Sequence, residues 1–498
     1  MRIKTIEVNN YKAFYGKYKI NVGGKNLFIY GENGSGKSSL YYALKDFFQS
    51  SIENIDLNRV ENIFIKDNNK GKCYIKISFS IKNTFGIRKQ STKEFEFATT
   101  SKNTDSSEDT SIRDANKLKS FLTYKHLLDI HHLKKGQQID LFNLLIKGVL
   151  RHFKYTLTEA KELGQLWDEV ETIIAKETGH NYRIDQKKKE LSTALKTFND
   201  AFGELFKEDS PEYILKHAKP ILDQFNHKVD LKLFYRQAKP DSDYQHIENN
   251  HVHLELMYAG RKVDKPHLFL NEARLSAIAI SIYLGMIKRH PQLIPCKILF
   301  LDDIFIGLDI ANRLPLLKIL EAEFDEYQIF ITTYDRPWYE YAKSFLEGAK
   351  GWLTLEFYVE ETKEGYEIPK ILDNQELIIK AEWHYKNSDY KAAAVYTRSA
   401  FEKTLKSYCQ KKAKKIKFKL REKDYASQDF WEAAKEDKDI RAETITNIEQ
   451  YRNLVLNPFS HYNTEAHEIK TELKDAIEAV KNLQKELNDL CKKSSGTV

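Results

Sequence analysis

Asn26-Leu-Phe-Ile-Tyr30, running directly into Gly31-Glu-Asn-Gly-Ser-Gly-Lys-Ser38, is the stretch on which the reading of this chain turns. The first five residues form a short apolar strand. The next eight satisfy the spacing GxxxxGK[ST], and Ser39-Leu-Tyr-Tyr-Ala-Leu opens a helix behind them. A glycine-rich turn between a strand and a helix wraps backbone N–H groups around phosphate oxygens at the positive end of the helix. Gly31, Gly34 and Gly36 let the chain curl, and Asn33, Ser35 and Ser39 complete the phosphate-binding set. Lys37 is placed to reach the β- and γ-phosphates, and the Ser38 hydroxyl to ligate Mg²⁺. The expected ligand is ATP with Mg²⁺.

The second half of such a site stands far downstream, in Lys297-Ile-Leu-Phe-Leu-Asp302-Asp303. Four consecutive apolar residues read as a buried parallel strand. Its carboxylates lie at the C-terminal end, where α/β sheets bind ligands. Asp302 is the expected second Mg²⁺ ligand. A turn, Gly307-Leu-Asp309, follows it, and Tyr327-Gln-Ile-Phe-Ile-Thr-Thr-Tyr334-Asp335 reads as a further strand.

Around this core the composition is that of a globular protein. Of 498 residues, 41% are hydrophobic and 30% charged, so a large core can be buried. The net charge of +7 is a small excess of 79 Lys and Arg over 72 Asp and Glu and does not identify a partner. The longest apolar runs, such as residues 275–286, are broken by Ser and Gly and too short to span a bilayer. No signal-peptide core opens the chain, so a cytoplasmic protein away from the membrane is expected. Cys73, Cys296, Cys409 and Cys491 are widely spaced and support neither a disulfide framework nor a zinc site. His131-His132 and His251-Val-His253 lack a third ligand at motif spacing, and no metal is assigned to them.

Four segments separate by pattern. Residues 1–144 carry the P-loop and short strands, with residues 99–114 reading as an exposed Ser/Thr/Asp-rich loop. Residues 145–226 turn helical, too briefly for long coiled-coil arms. Residues 227–368 alternate strands and helices again. Residues 371–498 read as a separate all-α domain. The predicted class is α/β, a P-loop NTPase with a helical insertion and a helical C-terminal domain.

These motifs resemble the SMC/RecF-like ABC-type ATPases, over roughly residues 1–365. The resemblance makes Asp302 the Walker B carboxylate and puts Asp303 where ABC ATPases usually carry a catalytic Glu that polarises the attacking water. It makes Gly307-Leu-Asp309 the D-loop at a dimer interface. It sets Phe269-Leu-Asn271-Glu-Ala-Arg-Leu-Ser276 at the signature helix, with Asn271 for its Ser and both glycines replaced. Asn271 is also a strong helix N-cap type, and a simple cap remains the alternative reading. Tyr334 stands where many members have the switch His, and Tyr124-Lys-His-Leu-Leu falls about where a Q-loop glutamine is expected. Such departures imply slow or tightly regulated hydrolysis. The resemblance further implies a homodimer or higher even oligomer around sandwiched ATP, and a likeness to compact antiphage ATPases.

In the C-terminal segment, Tyr390-Lys-Ala-Ala-Ala-Val-Tyr-Thr-Arg398-Ser-Ala-Phe-Glu402 begins an amphipathic helix. Ala393, Tyr396, Ala400, Phe401, Leu405 and Tyr408 form its expected buried stripe. Arg398 and Glu402 are neighbours on one face. Downstream, Tyr451-Arg452-Asn-Leu-Val-Leu-Asn457-Pro458-Phe-Ser460-His461 resembles the HEPN ribonuclease motif, although eight residues rather than four to six separate Arg452 from His461. ATPase-linked anticodon nucleases are a second likeness, through Arg398, Glu402 and His461. Metal-free RNA cleavage needs a base, an acid and a cation over the phosphate. His461 suits the first two roles, Arg398 or Arg452 the third, with Glu402 orienting His461. An ordinary i,i+4 ion pair and a core or capping His are the competing reading. Residues 411–423 hold eight basic residues and one acidic. They read either as a nucleic-acid contact, RNA favoured and DNA possible, with Phe418 and Tyr425 for stacking, or as a solvated loop. The combined expectation is an antiviral ATPase controlling an RNA-cleaving C-terminal effector. The alternatives are a scaffold that recruits a separate nuclease or sensor subunit, as in Septu-type pairs, and a RecF-like DNA repair ATPase.

Overall fold

In the computed structural model the described residues are 1–81, 91–131, 139–154, 161–177, 184–289, 294–347, 351–373, 377–417, 419, 427–436, 440–451 and 470–494. The apolar run before the P-loop forms the strand Asn26–Gly31, and Leu27, Phe28 and Ile29 are fully buried. Buried on both faces, it occupies the interior of a six-stranded sheet, as continuous apolar strands do. The order is Glu367–Asp373, Trp352–Glu361, Asn26–Gly31, Gln328–Thr333, Ile298–Asp302, Phe121–Thr123. The P-loop strand runs parallel to Gln328–Thr333 and Trp352–Glu361, and Ile298–Asp302 runs parallel to Gln328–Thr333 and Phe121–Thr123. Parallel pairing brings the C-terminal ends of the P-loop strand and of Ile298–Asp302 to one edge.

One face of this sheet receives the helix Lys37–Gln49, whose Leu40, Tyr41, Leu44, Phe47 and Phe48 are buried. A second, antiparallel sheet of Lys17–Asn21, Arg2–Asn9, Tyr74–Ile81 and Ser91–Ala98 closes over that helix and shares its core. Alternation of buried and open positions along Tyr74–Ile81 shows a strand with one face inward. The other face of the main sheet is covered by the helix Glu272–Arg289, by Ile310–Glu323, and by the helical lobe of Leu163–Ala175, Ile184–Gly203 and Ile214–Asp223. In chain order between the lobe and the helix Glu272–Arg289 comes a small antiparallel sheet of Val229–Arg236, His251–Tyr258 and Arg261–Val263.

Two sequence expectations need correction. The stretch 99–114 is not all exposed loop: Thr104 is buried on Ser50, 2.7 Å between hydroxyls, and a helix starts at Ser111. In the C-terminal helix Tyr390–Lys411, Tyr396 is only half-buried, stacked on His384, and Thr397 takes the buried position, its hydroxyl donating to the Ala393 carbonyl.

The chain folds as two compact units, Met1–Ile371 and Leu372–Val498. The second is helical in its described residues: Leu377–Lys386, Tyr390–Lys411, Ser427–Lys435, Ala442–Tyr451 and Lys470–Ser494 surround a core including Phe401, Leu405, Trp431 and Leu483. Cys73, Cys296 and Cys409 are buried, Cys491 is half-buried, and none of the four is in a disulfide. Among the described residues, no helix is long and apolar enough to cross a membrane.

Candidate nucleotide site

The P-loop turns through Gly34 and Gly36, both left-handed with φ 85° and 93°. Gly36 is also the N-cap of the helix Lys37–Gln49, so the helix's free N–H groups face the loop. A Cβ on Gly31 would lie 2.4 Å from Ser35 Oγ and 2.9 Å from Lys37 Cγ; one on Gly36 would lie 2.7 Å from Pro369 Cγ. The loop is thus held against its own side chains and roofed by the strand Glu367–Asp373. Ser35 Oγ is fully buried without a hydrogen-bond partner. Asn33 and Ser38 are exposed, and Ser39 Oγ accepts from the Ala13 N–H at 3.4 Å.

Lys37 is 4% exposed, and its ammonium donates to the carbonyls of Gly31 (2.7 Å) and Glu32 (3.0 Å). Burial pushes its pKa down, opposed by Asp303, Asp302 and Glu32. Ser38 Oγ donates to Asp302 Oδ2 at 3.3 Å, and Thr332 Oγ1 donates to Asp302 Oδ1 at 2.7 Å. Asp302 is buried, which raises its pKa against the hydrogen bonds from Thr332 and Ser38 and the Lys37 and Lys125 charges. Next to it, Asp303 sits in a left-handed conformation, φ 52°, with its N–H donating to Thr332 Oγ1 at 3.0 Å. Desolvation pushes the Asp303 carboxyl up to about 6, with Lys37 lowering it and Asp302 raising it. Its Oδ1 is buried and unpartnered.

The structure therefore brings Gly31, Ser35, Gly36, Lys37, Ser38, Asp302 and Asp303 together. A cradle that excludes side chains, a buried ammonium, an orphaned carboxylate oxygen and a hydroxyl–carboxylate pair fit Mg²⁺ and a triphosphate. Mg²⁺ typically takes one or two protein oxygens and completes its shell with phosphates and water. Among the described residues no cluster of three or more His, Cys, Asp or Glu gathers elsewhere to hold a metal.

Asn271 caps the helix Glu272–Arg289, its Oδ1 accepting from the Arg274 N–H at 3.0 Å. It is exposed, as are Leu268 and Phe269 just before it. Tyr334 is 44% exposed at the end of its strand. Asp309 caps Ile310–Glu323 through Asn312, and Ile306 and Ile310 beside it face outward. Residues not foreseen as functional also enter the site. Thr332 bridges both aspartates, and nothing in the sequence of its strand sets it apart from an ordinary strand-forming threonine. Lys125 contributes charge to Asp302, and Asp335, which follows Tyr334 in the chain, pairs with Arg313 at 2.6 Å.

In the second unit, Arg398 Nε donates to Glu402 Oε1 at 2.9 Å, both half-buried. Arg452 and His461, like Phe418 and Tyr425, lie outside the described residues. Lys419 of the basic segment is paired with Asp429 at 2.6 Å.

A P-loop and a buried carboxylate strand on one parallel sheet edge, joined to an antiparallel sheet and a helical lobe, define the class: an ABC-type ATPase head. The chain belongs to the RecF/RecN/SMC N-terminal domain family, which matches residues 2–350. Solved structures similar to the chain include the following two. The Smc head domain with an extended coiled coil from Pyrococcus furiosus, bound to the C-terminal domain of ScpA, aligns over 77% of this chain and 99% of its own, at 13% identity and TM-score 0.42. The SMC head domain from Thermotoga maritima aligns over 75% of this chain and 100% of its own, at 13% identity and TM-score 0.34. No curated protein matches the chain.

Proposed function

We propose that the chain binds Mg·ATP with Lys37, Ser38 and Asp302, hydrolyses it slowly, and dimerises around it. The observation that carries this reading is the bridge Ser38–Asp302–Thr332, which sets a hydroxyl and a carboxylate beside the buried Lys37 ammonium. Bound Mg²⁺ would neutralise phosphate charge there. Asp303, with a carboxyl of raised pKa and a free oxygen, is the group to orient the attacking water. Its short side chain and the absence of a His at Tyr334 support slow turnover. Asn271 at its exposed helix N-terminus is the group offered to the phosphate held by a second copy.

The helical unit is the output: an HEPN-like effector of antiviral defence that cleaves RNA such as tRNA, with Arg398, Glu402, Arg452 and His461 as its set. The Arg398–Glu402 pair supports this part. Incubating the protein with total tRNA and Mg·ATP tests it. Cleavage by wild type that vanishes in His461→Ala is the expected result; equal cleavage by both, or none from wild type, removes the nuclease. A second reading, a scaffold that recruits a separate nuclease, is favoured by the outward Ile379, Trp383 and Val395 of the helical unit, 42%, 58% and 45% exposed. Pull-down of a nuclease that Trp383→Ala abolishes would select it.

A further inference from the structure

Away from the P-loop, a cavity of about 1120 Å³ opens in the N-terminal unit. It reaches from the far end of the P-loop helix to the helical lobe and the small sheet. Lys45 enters from that helix, Asn116 and Lys119 from the segment leading to the edge strand Phe121–Thr123, Trp167 from the lobe, and Arg236 and His253 from the sheet. The antiparallel register sets Arg236 opposite His251, and the two-residue period puts His253 on the same face.

Its polar groups are unevenly satisfied. The carboxylates are engaged: Glu171 with Lys147 at 3.3 Å, Asp168 with Arg151 at 2.6 Å, Asp140 with His251 at 2.7 Å, and Glu53 with Lys119 at 4.0 Å. Lys45 and Arg236 have no carboxylate within salt-bridge reach among the described residues. Asn116 is 5% exposed, and its amide Nδ2 has no hydrogen-bond partner. Both ring nitrogens of His253 are likewise shielded and unpartnered. Burial, with Arg236 and His251 nearby, pushes the His253 pKa down, so the ring is neutral with one donor and one acceptor to satisfy. A buried donor left without an acceptor is destabilising, and a ligand oxygen would supply the missing partner.

We propose that this cavity is a second ligand site, distinct from the P-loop, for a phosphate-bearing small molecule of nucleotide size. The unmatched groups are mainly donors and cations, which select an acceptor-rich anion. The volume lies just above the usual range of small-molecule sites, about 300–1000 Å³, and is far more than one phosphate fills. Lys45 stands eight residues beyond Lys37 on one helix, about 12 Å along its axis. Phe121, which also lines the cavity, pairs in register with Phe300 of the Asp302 strand. A ligand here touches two elements that carry nucleotide-site residues without entering that site.

The test uses the full chain with the P-loop removed from competition in two ways, by Lys37→Ala and by saturating wild type with Mg·ATPγS. AMP and pyrophosphate are the probes, with citrate as the carboxylate control, read by calorimetry and thermal shift. Saturable binding of AMP or pyrophosphate, one per chain, is expected in both arms. It should weaken at least tenfold in Arg236→Ala and Lys45→Ala, while these variants, with Lys37 intact, still bind ATPγS as wild type does and so are folded. Three results overturn the proposal: neither probe binds, binding is unchanged in both variants, or citrate binds as tightly as pyrophosphate. The outcome does not depend on hydrolysis or on the helical unit, so it fails or stands separately from the function proposed above.

Discussion

Ser38 Oγ donates to Asp302 Oδ2 across 3.3 Å, although 264 positions separate the two residues in the chain. The sheet makes this pairing. The strand Gln328–Thr333 lies between the P-loop strand and the Asp302 strand, in parallel register with both, so all three end at the same level. Lys37 then faces two carboxylates rather than one.

Lys37→Ala leaves Asp302 and Asp303 adjacent with their nearest cation gone. Hydrogen bonds to charged groups contribute about 1.5–3 kcal/mol each, so ATP affinity should fall by roughly 10- to 100-fold. Asp302→Ala should lose the Mg²⁺ dependence of binding as well. Equilibrium binding of a fluorescent ATP analogue with and without Mg²⁺ measures both, and ATP-dependent dimerisation by light scattering should disappear in parallel.

Asp303 makes a signed pH prediction. Its folded pKa, about 6, exceeds the unfolded value of 3.8. Between those values the folded chain holds the extra proton, so this residue's contribution to stability falls as pH rises from about 4 to 6. Asp303→Asn keeps the shape, and Asn tolerates φ 52°. The variant should therefore be more stable than wild type at pH 7.5, on the order of 2 kcal/mol, with the advantage gone at pH 4. Hydrolysis by wild type should rise through pH 6 as the carboxylate forms, and Asp303→Asn should bind ATP without turning it over. Denaturant titrations and phosphate release across pH 4–8 give the two readouts.

How much of this was legible follows from what each residue type can report. Leu27 to Tyr30 and Ile298 to Leu301 are apolar runs without alternation, and a run of that kind has nowhere to go but the middle of a sheet. Glycines at fixed spacing before Lys37 announce a turn that only glycine can make. Asn271 showed itself as a cap by composition. Thr332 did not, because threonine is an ordinary strand former and only the register reveals that its hydroxyl meets both aspartates. Pro369 over Gly36 was equally hidden, being a contact between residues 333 positions apart. Tyr396 was placed in the buried stripe by periodicity, but its ring turns to stack on His384.

Gly36→Ala meets both obstacles that glycine avoids. A φ of 93° is strained for any L side chain, and the new methyl would press on Pro369 Cγ at 2.7 Å. A cost of about 1–3 kcal/mol is expected, with weakened ATP binding. Adding Pro369→Ala should relieve the clash but not the backbone strain, recovering only part of the loss in thermal melts.

Asn271→Asp separates the two readings of that residue. Aspartate caps a helix as well as asparagine, so stability should be unchanged, whereas Asn271→Ala should cost about 1 kcal/mol. If Asn271 faces the γ-phosphate of a second copy, the new negative charge should abolish ATP-dependent dimerisation while monomer ATP binding persists. Dimerisation equal to wild type would leave Asn271 as a cap alone.

Thr332→Val removes a hydroxyl at nearly constant volume. Asp302 Oδ1 loses a 2.7 Å donor, and the Asp303 N–H loses its 3.0 Å acceptor in a buried setting. Leaving these groups unmatched should cost about 1–3 kcal/mol of stability. The functional effect should be unequal. Lys37 and the loop amides are untouched, so ATP binding should change less than threefold. The two carboxylates lose their common anchor, so turnover should fall by 10-fold or more. Because Thr332 acts through the aspartates, Thr332→Ser, which restores the hydroxyl, should recover most of the rate. A drop in binding as large as the drop in turnover would make Thr332 a general packing residue instead.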